Sequence, residues 1–157
     1  MIGDELMNFD PTHQCLIALR SPVTNKSFIN KVDECGVIVF AKGMDHLLVV
    51  LQNLSRKWGF PKGHMTHIEQ YNKEYFKCAK RELLEETGID LRVVSHTKYG
   101  TLILGNKLFY IVEIKAPNVR TRVIDRHEIS ETRWIRRTDL FTFVEKNTCN
   151  ATLNKLF

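Results

Sequence analysis

The sequence predicts an α/β domain in which helices pack on a sheet. Three observations carry this expectation. Two apolar runs, Gly36 to Phe40 and Leu47 to Leu51, are short and rich in β-branched residues or leucine, the pattern of buried strands. A helix ending near Glu86 follows, and Gly88 stands where a C′ residue with positive φ is needed. Further strand-like runs come after that helix, so the sheet draws strands from both sides of it in the chain.

In chain order, residues 1–30 read as an N-terminal extension, irregular in pattern except for one short apolar run from Cys15 to Leu19. Residues 31–157 read as the domain. Met1 to Asp10 is acidic and mixed, without the basic and apolar regions of a secretory signal. Lys42 to Asp45 reads as the hairpin turn between the first two strands. Asn53 to Thr66, holding Gly59, Pro61 and Gly63, reads as a loop before the helix. Arg92 to Thr97, Thr101 to Leu104 and Leu108 to Ile114 are the next strand candidates, and a short one contains Trp134 and Ile135. Thr138 or Asp139 is placed to cap a last helix through about Lys146.

At 157 residues, 43% hydrophobic and 26% charged, the chain can bury a core without metal or disulfide staples. No apolar run approaches the ~20 residues of a membrane span. The cysteines, Cys15, Cys35, Cys78 and Cys149, form no CxxC pair. Cys35 and Cys78 sit in apolar settings and are expected to be buried thiols in a reducing compartment, consistent with a cytoplasmic protein (host cytoplasm if viral). Net charge is +5, with six arginines between Arg120 and Arg137. That balance suits a polyanionic ligand, and it equally suits a solvated basic face.

The informative segment is Arg81-Glu82-Leu83-Leu84-Glu85-Glu86-Thr87-Gly88-Ile89. On a helix, Glu82, Glu85 and Glu86 point to one side, while Phe76, Ala79 and Leu83 form a neighbouring apolar stripe. Three crowded carboxylates repel, and a hard divalent cation with oxygen ligands removes the conflict. A solvated acidic helix is the plainer alternative. Just upstream, Trp58-Gly59-Phe60-Pro61-Lys62-Gly63 adds flexible backbone and a lysine. His64 and His67 are three apart but read as loop residues, so they suggest no zinc site.

Gly63, five residues, Glu69, then Arg81 to Ile89 resembles the box of Nudix hydrolases. The resemblance covers about residues 33 to 145 and implies a Nudix α/β/α sandwich, a mixed sheet between helices. It implies Mg2+ or Mn2+ held mainly by Glu85 and Glu86 with the Gly63 carbonyl, Glu82 as a further ligand or base, and Arg81 orienting it. Glu128, with Glu131 second, is the implied base or extra ligand from a later loop. The implied reaction is attack of water on phosphorus to break a phosphoanhydride bond. One departure stands out: eleven residues separate Glu69 from Arg81, where the family has seven. An early helix start would keep Glu69 in its role. A bulged loop would remove it and leave Glu74 as the ion-pair partner, and the sequence leaves both open.

Lys57-Trp58-Gly59-Phe60-Pro61-Lys62-Gly63, with Glu128-Ile129-Ser130 before Trp134, resembles mRNA-decapping members of the family, including those of large DNA viruses. That resemblance implies capped RNA as substrate and release of 7-methylguanosine diphosphate. Pro61-Lys62-Gly63-His64 is also similar to diadenosine tetraphosphate hydrolases, and diphosphoinositol polyphosphate hydrolases are a third alternative. Lys62, Trp58, Arg120 and Arg122 are the candidate substrate-binding residues. Trp58, Phe60, Tyr99, Tyr110 and Trp134 are candidates for a base-stacking face. A non-catalytic RNA-binding Nudix module is the alternative of another class; such modules usually have a damaged box, and here Arg81, Glu82, Glu85 and Glu86 are all present.

Overall fold

Alternation along the first two strands decides how the layers form, because successive side chains on a strand point to opposite faces. In β1 (Glu34–Ala41), Cys35, Val37 and Val39 face one layer, while Ile38 and Phe40 face the other. In β2 (His46–Gln52), Leu48 joins the first layer and Leu47, Val49 and Leu51 join the second. A sheet buried on both faces needs helices on both, which is the mixed α/β sandwich expected from the sequence. The structure is a computed structural model that describes residues 31–41, 43–116 and 119–157. The predicted extension 1–30 and Lys42 of the predicted turn lie outside these.

The remaining elements are β3 (Trp58–Gly59), β4 (Lys62–His64), α1 (His67–Tyr71), α2 (Tyr75–Thr87), β5 (His96–Leu104), β6 (Lys107–Ile114), β7 (Ile129–Arg136), a 3-10 turn (Arg137–Asp139), α3 (Leu140–Lys146) and α4 (Ala151–Leu156). The sheet runs β3-β2-β1-β6-β5, with β4 also on β1 and β7 also on β2. β1 and β6 are parallel, from Glu34 opposite Lys107 to Ala41 opposite Ile114, and the other pairs are antiparallel. Helix α2 lays Cys78, Ala79 and Leu83 on one face of the sheet. Helices α3 and α4 cover the other with Leu140, Phe143, Leu153 and Leu156. No helix among the described residues is long and apolar enough to cross a membrane.

Several elements differ from the sequence expectation. The loop from Asn53 to Thr66 holds β3 and β4, whose few backbone bonds need no long apolar pattern. The strand expected from Arg92 begins at His96 instead, because Asp90 turns the chain: its carboxylate accepts from the Arg92 N–H at 2.9 Å and its carbonyl from Val93 and Val94. From His96 the strand runs unbroken to Leu104, merging two predicted strands across a bulge between Lys98 and Gly100. Strand β7 is longer than the short strand expected around Trp134 and Ile135, starting already at Ile129. Neither Thr138 nor Asp139 caps α3 with its side chain; the 3-10 turn leads into it. Helix α4 was not predicted, yet Asn150 caps it by accepting from the Leu153 N–H at 2.9 Å.

Candidate metal centre and active site

The long spacing between Glu69 and Arg81 is absorbed by a second helix. Thr66 caps α1 in a capping box, with the Glu69 N–H donating to Thr66 Oγ1 (3.1 Å) and the Thr66 N–H to Glu69 Oε1 (2.9 Å). The chain then breaks at Asn72–Glu74, where Lys73 takes a left-handed φ of 55°, and restarts as α2. Helix formation therefore does begin early, and Glu69 reaches Arg81: Nη2 donates to Oε1 at 3.0 Å and Nε to Oε2 at 3.2 Å. Burial pushes the Glu69 carboxyl up, but the bonds from Arg81 and Thr66 outweigh it and hold it below the usual range. Glu74 pairs instead with Lys77 at the surface.

Arg81 uses its other arm on the acidic face, donating from Nη1 to Glu82 Oε1 at 2.7 Å and lying 3.4 Å from Glu85 Oε2. The Lys62 N–H donates to Glu86 Oε1 at 2.9 Å. Glu82 and Glu86 are buried, and oxygens of Glu82, Glu86 and Glu128 all lie within 4.8 Å of one another. Burial pushes the Glu82 carboxyl up to about 7, against the pull of Arg81, and Glu85 and Glu128 push the same way. Burial pushes Glu86 up to about 9, with Glu82 and Glu128 adding to it and the Lys62 N–H opposing. Glu85, expected as a main ligand, stays at the cleft edge beside Arg81, its side chain 40% exposed.

Backbone packing brings strand and helix together at this point. Gly63 sits in β4 opposite Cys35, and a Cβ there would fall on the Glu82 carboxylate, so any larger residue displaces that carboxylate. Its carbonyl lies 3.8 Å from Cys78 Sγ. At the far end of α2, Gly88 takes the C-cap with φ 76°, and its N–H donates to Leu84 O. The backbone of Arg122 packs where a side chain at Gly88 would be, and the Arg122 N–H donates to Thr87 O at 2.8 Å. Ile124 and Asp125 both donate to Glu85 O. The segment after β6 is thereby tied to the helix and delivers Glu128 to the carboxylates.

Gly63, Arg81, Glu82, Glu85, Glu86 and Glu128 line an open cleft of about 520 Å³, with exposed Leu54, His64 and His127 also on its wall. Lys62 lines it too, but its ammonium is engaged by Glu34 at 3.0 Å. Burial pushes Glu34 up, and Lys62 with Lys107 overcomes this to hold it below the usual carboxylate range. Glu34 escaped the sequence reading because one acid at the start of a strand carries no local pattern. Arg120 and Arg122 are exposed and lie outside the cleft lining. Trp58 corrects an expectation: it is buried, edge-on to Phe143 with centroids 5.4 Å apart and Arg133 over its ring, so it presents no face to substrate. Among the described residues, none of the five expected stacking aromatics lines the cleft.

Oxygen-only donors converging around uncompensated charge suit a hard divalent cation, which relieves the repulsion and lets both buried groups ionise. Glu82, Glu86 and Glu128 are the side chains that come closest together to hold it, and Glu85 and Gly63, also expected as ligands, line the same cleft.

The NUDIX domain model matches residues 31–153. The chain is 38% identical over 86 residues to "Putative hydrolase 111R" of Invertebrate iridescent virus 3, covering 55% of this chain and 46% of that protein. It is 32% identical over 126 residues to mRNA decapping complex subunit 2 of Schizosaccharomyces pombe, covering 78% of this chain and 16% of that protein. The chain thus spans less than half the length of these curated relatives. In fold it is similar to a C. elegans Ap4A hydrolase in a binary complex, with TM-score 0.56 and 19% identity over 78% of this chain and 91% of that one. The chain belongs to the NUDIX domain family.

Proposed function

We propose that the protein hydrolyses a phosphoanhydride bond with Mg2+ or Mn2+, and that its substrate is the 5′ cap of RNA, with 7-methylguanosine diphosphate released. The observation that carries the chemistry is the convergence of Glu82, Glu86 and Glu128 in an open cleft. When bound there, the cation neutralises phosphate charge and acidifies a water. Glu69 fixes Arg81, Arg81 fixes Glu82, and the Lys62 N–H fixes Glu86, so the donors need no rearrangement as charge develops on phosphorus. Glu128 is exposed at the cleft, so while one of its carboxylate oxygens would face the cation the other would be free to take a proton from the attacking water. Electrons of the attacking oxygen form the new P–O bond, and the bridging oxygen leaves with its pair as a phosphate.

Three observations support RNA as the substrate class. A Schizosaccharomyces pombe relative is named mRNA decapping complex subunit 2 and a C. elegans relative m7GpppN-mRNA hydrolase. The net charge is +5. Arg120, Arg122 and Arg126 are exposed on the segment that leads to Glu128 and would offer phosphate contacts to an RNA chain. Capped RNA, diadenosine tetraphosphate and a diphosphoinositol polyphosphate, each with Mg2+ and with Mn2+, form the test. Release of 7-methylguanosine diphosphate from capped RNA is the expected result. Rapid turnover of diadenosine tetraphosphate with capped RNA untouched would replace this substrate with a dinucleotide, and binding of RNA without turnover of any of the three would make the chain a binding module.

A further inference from the structure

Glu128 is the exposed member of the three-carboxylate cluster, and it faces two buried acids that repel it. Among the described residues no hydrogen bond or ion pair reaches its side chain, while its backbone is held. The turn after β2 does this through Asn53. The Asn53 N–H donates to Glu128 O at 2.8 Å, and Asn53 Nδ2 donates to Arg126 O at 2.6 Å and His127 O at 3.0 Å. Ser130 Oγ donates to Asn53 Oδ1, and Arg56 Nη1 donates to Ser130 Oγ at 2.8 Å. Both amide hydrogens meet carbonyls and the amide oxygen meets a hydroxyl, which fixes the amide's orientation and excludes aspartate, whose oxygen would face two carbonyls. Arg56 takes a left-handed φ of 56° in this turn, where its N–H donates to Gln52 O at 3.0 Å.

We propose that Asn53 is the positioning residue for Glu128: it pins the 126–130 backbone so that the Glu128 carboxylate stays beside Glu82 and Glu86, and thereby sets the affinity for the divalent cation. The proposal rests on the reading that these three carboxylates hold the cation. Asn53 touches no reacting atom and acts only through the segment it holds. Partners of this kind, one step removed from the ligands, typically change metal affinity by about 10–100-fold when lost.

The test is Mn2+ titration of the protein without substrate, following the free-ion signal by electron paramagnetic resonance, for Asn53→Ala, Glu128→Gln and the double variant. Asn53→Ala is expected to weaken Mn2+ binding about 10-fold. The double variant should bind no more weakly than Glu128→Gln alone, because a residue acting through Glu128 has nothing left to position. Asn53→Asp should weaken binding at least as much as Asn53→Ala, and Ser130→Ala should shift it in the same direction by less. Circular dichroism at the titration temperature checks folding, and if Asn53→Ala does not fold, Ser130→Ala enters the same cycle in its place. Wild-type affinity in Asn53→Ala, or a further loss on top of Glu128→Gln, overturns the positioning role while leaving the metal centre standing. Wild-type affinity in Glu128→Gln removes Glu128 from the metal centre, and the proposal falls with it.

Discussion

Glu86→Gln separates the fold from the chemistry, and its effect follows from burial. Glu86 is 2% exposed and its carboxyl is pushed up to about 9, against an ordinary 4.5. Between those values the folded protein keeps a proton that the unfolded chain has released, so stability falls as pH rises. At about 1.36 kcal/mol per unit, going from pH 5 to pH 8 removes at most about 4 kcal/mol through this one group. Glu82, pushed up to about 7, acts in the same direction and shares the same field, so the two effects overlap and do not simply add. Glutamine keeps the bond from the Lys62 N–H and turns its own N–H groups toward Glu82 and Glu128. In EDTA at pH 8, Glu86→Gln should therefore melt above wild type by roughly 5–10 °C, given about 2–4 °C per kcal/mol at this size. At pH 5 the two should melt together. Mg2+ should raise the wild-type melting temperature at pH 8 and leave the variant nearly unmoved, while hydrolysis by the variant falls more than about 100-fold. Thermal melts by circular dichroism at both pH values, with and without Mg2+, decide the matter. A variant that melts below wild type in EDTA at pH 8, or that Mg2+ stabilises equally, would refute the reasoning.

Other substitutions probe the surrounding contacts. Glu69→Ala frees Arg81 from its two-bond anchor and should lower kcat about 10-fold or more, while Glu74→Ala removes only a surface pair with Lys77 and should stay within about 2-fold in steady-state assays. Gly63→Ala drives a methyl group into the Glu82 carboxylate; chemical denaturation should show a loss of about 1–3 kcal/mol, and turnover should collapse with it. Replacing Arg120, Arg122 and Arg126 with Ala should weaken binding to long RNA and flatten its salt dependence, by about 0.7 in the log–log slope per lost phosphate contact, while turnover of a free cap analogue barely changes.

The chemistry was legible in the sequence because it depends on helical spacing. Glu82 and Glu86 are one turn apart, so any helix through them puts both carboxylates on one side, and Gly88 marks where that helix stops. Glu69 lay within reach of the same logic. The Thr66-to-Glu69 capping box is a local signal for an early helix start, though it sits just after a loop whose glycines and proline argue against a helix. Buried strands were equally readable from their β-branched runs, whereas β3 and β4 were not, since two- and three-residue strands exist only through the neighbours they pair with.

What the sequence by itself determined is therefore the fold class, the family box and the acidic face of α2. Tertiary structure decided which acids converge. Glu85 shares the helix with Glu82 and Glu86, yet it remains at the rim, while Glu128, 42 positions beyond Glu86, completes the group. Trp58 reads as a substrate platform in sequence and is a core residue in space. The physical reason is common to both cases. Helical periodicity fixes directions only within one element, but burial, and with it the raised carboxyl groups of Glu82 and Glu86, depends on what packs against that element from elsewhere in the chain. Asn53 belongs to the same class: an unremarkable turn residue in sequence, it acquires its role only because β2 and β7 pair and bring residues 126–130 against it.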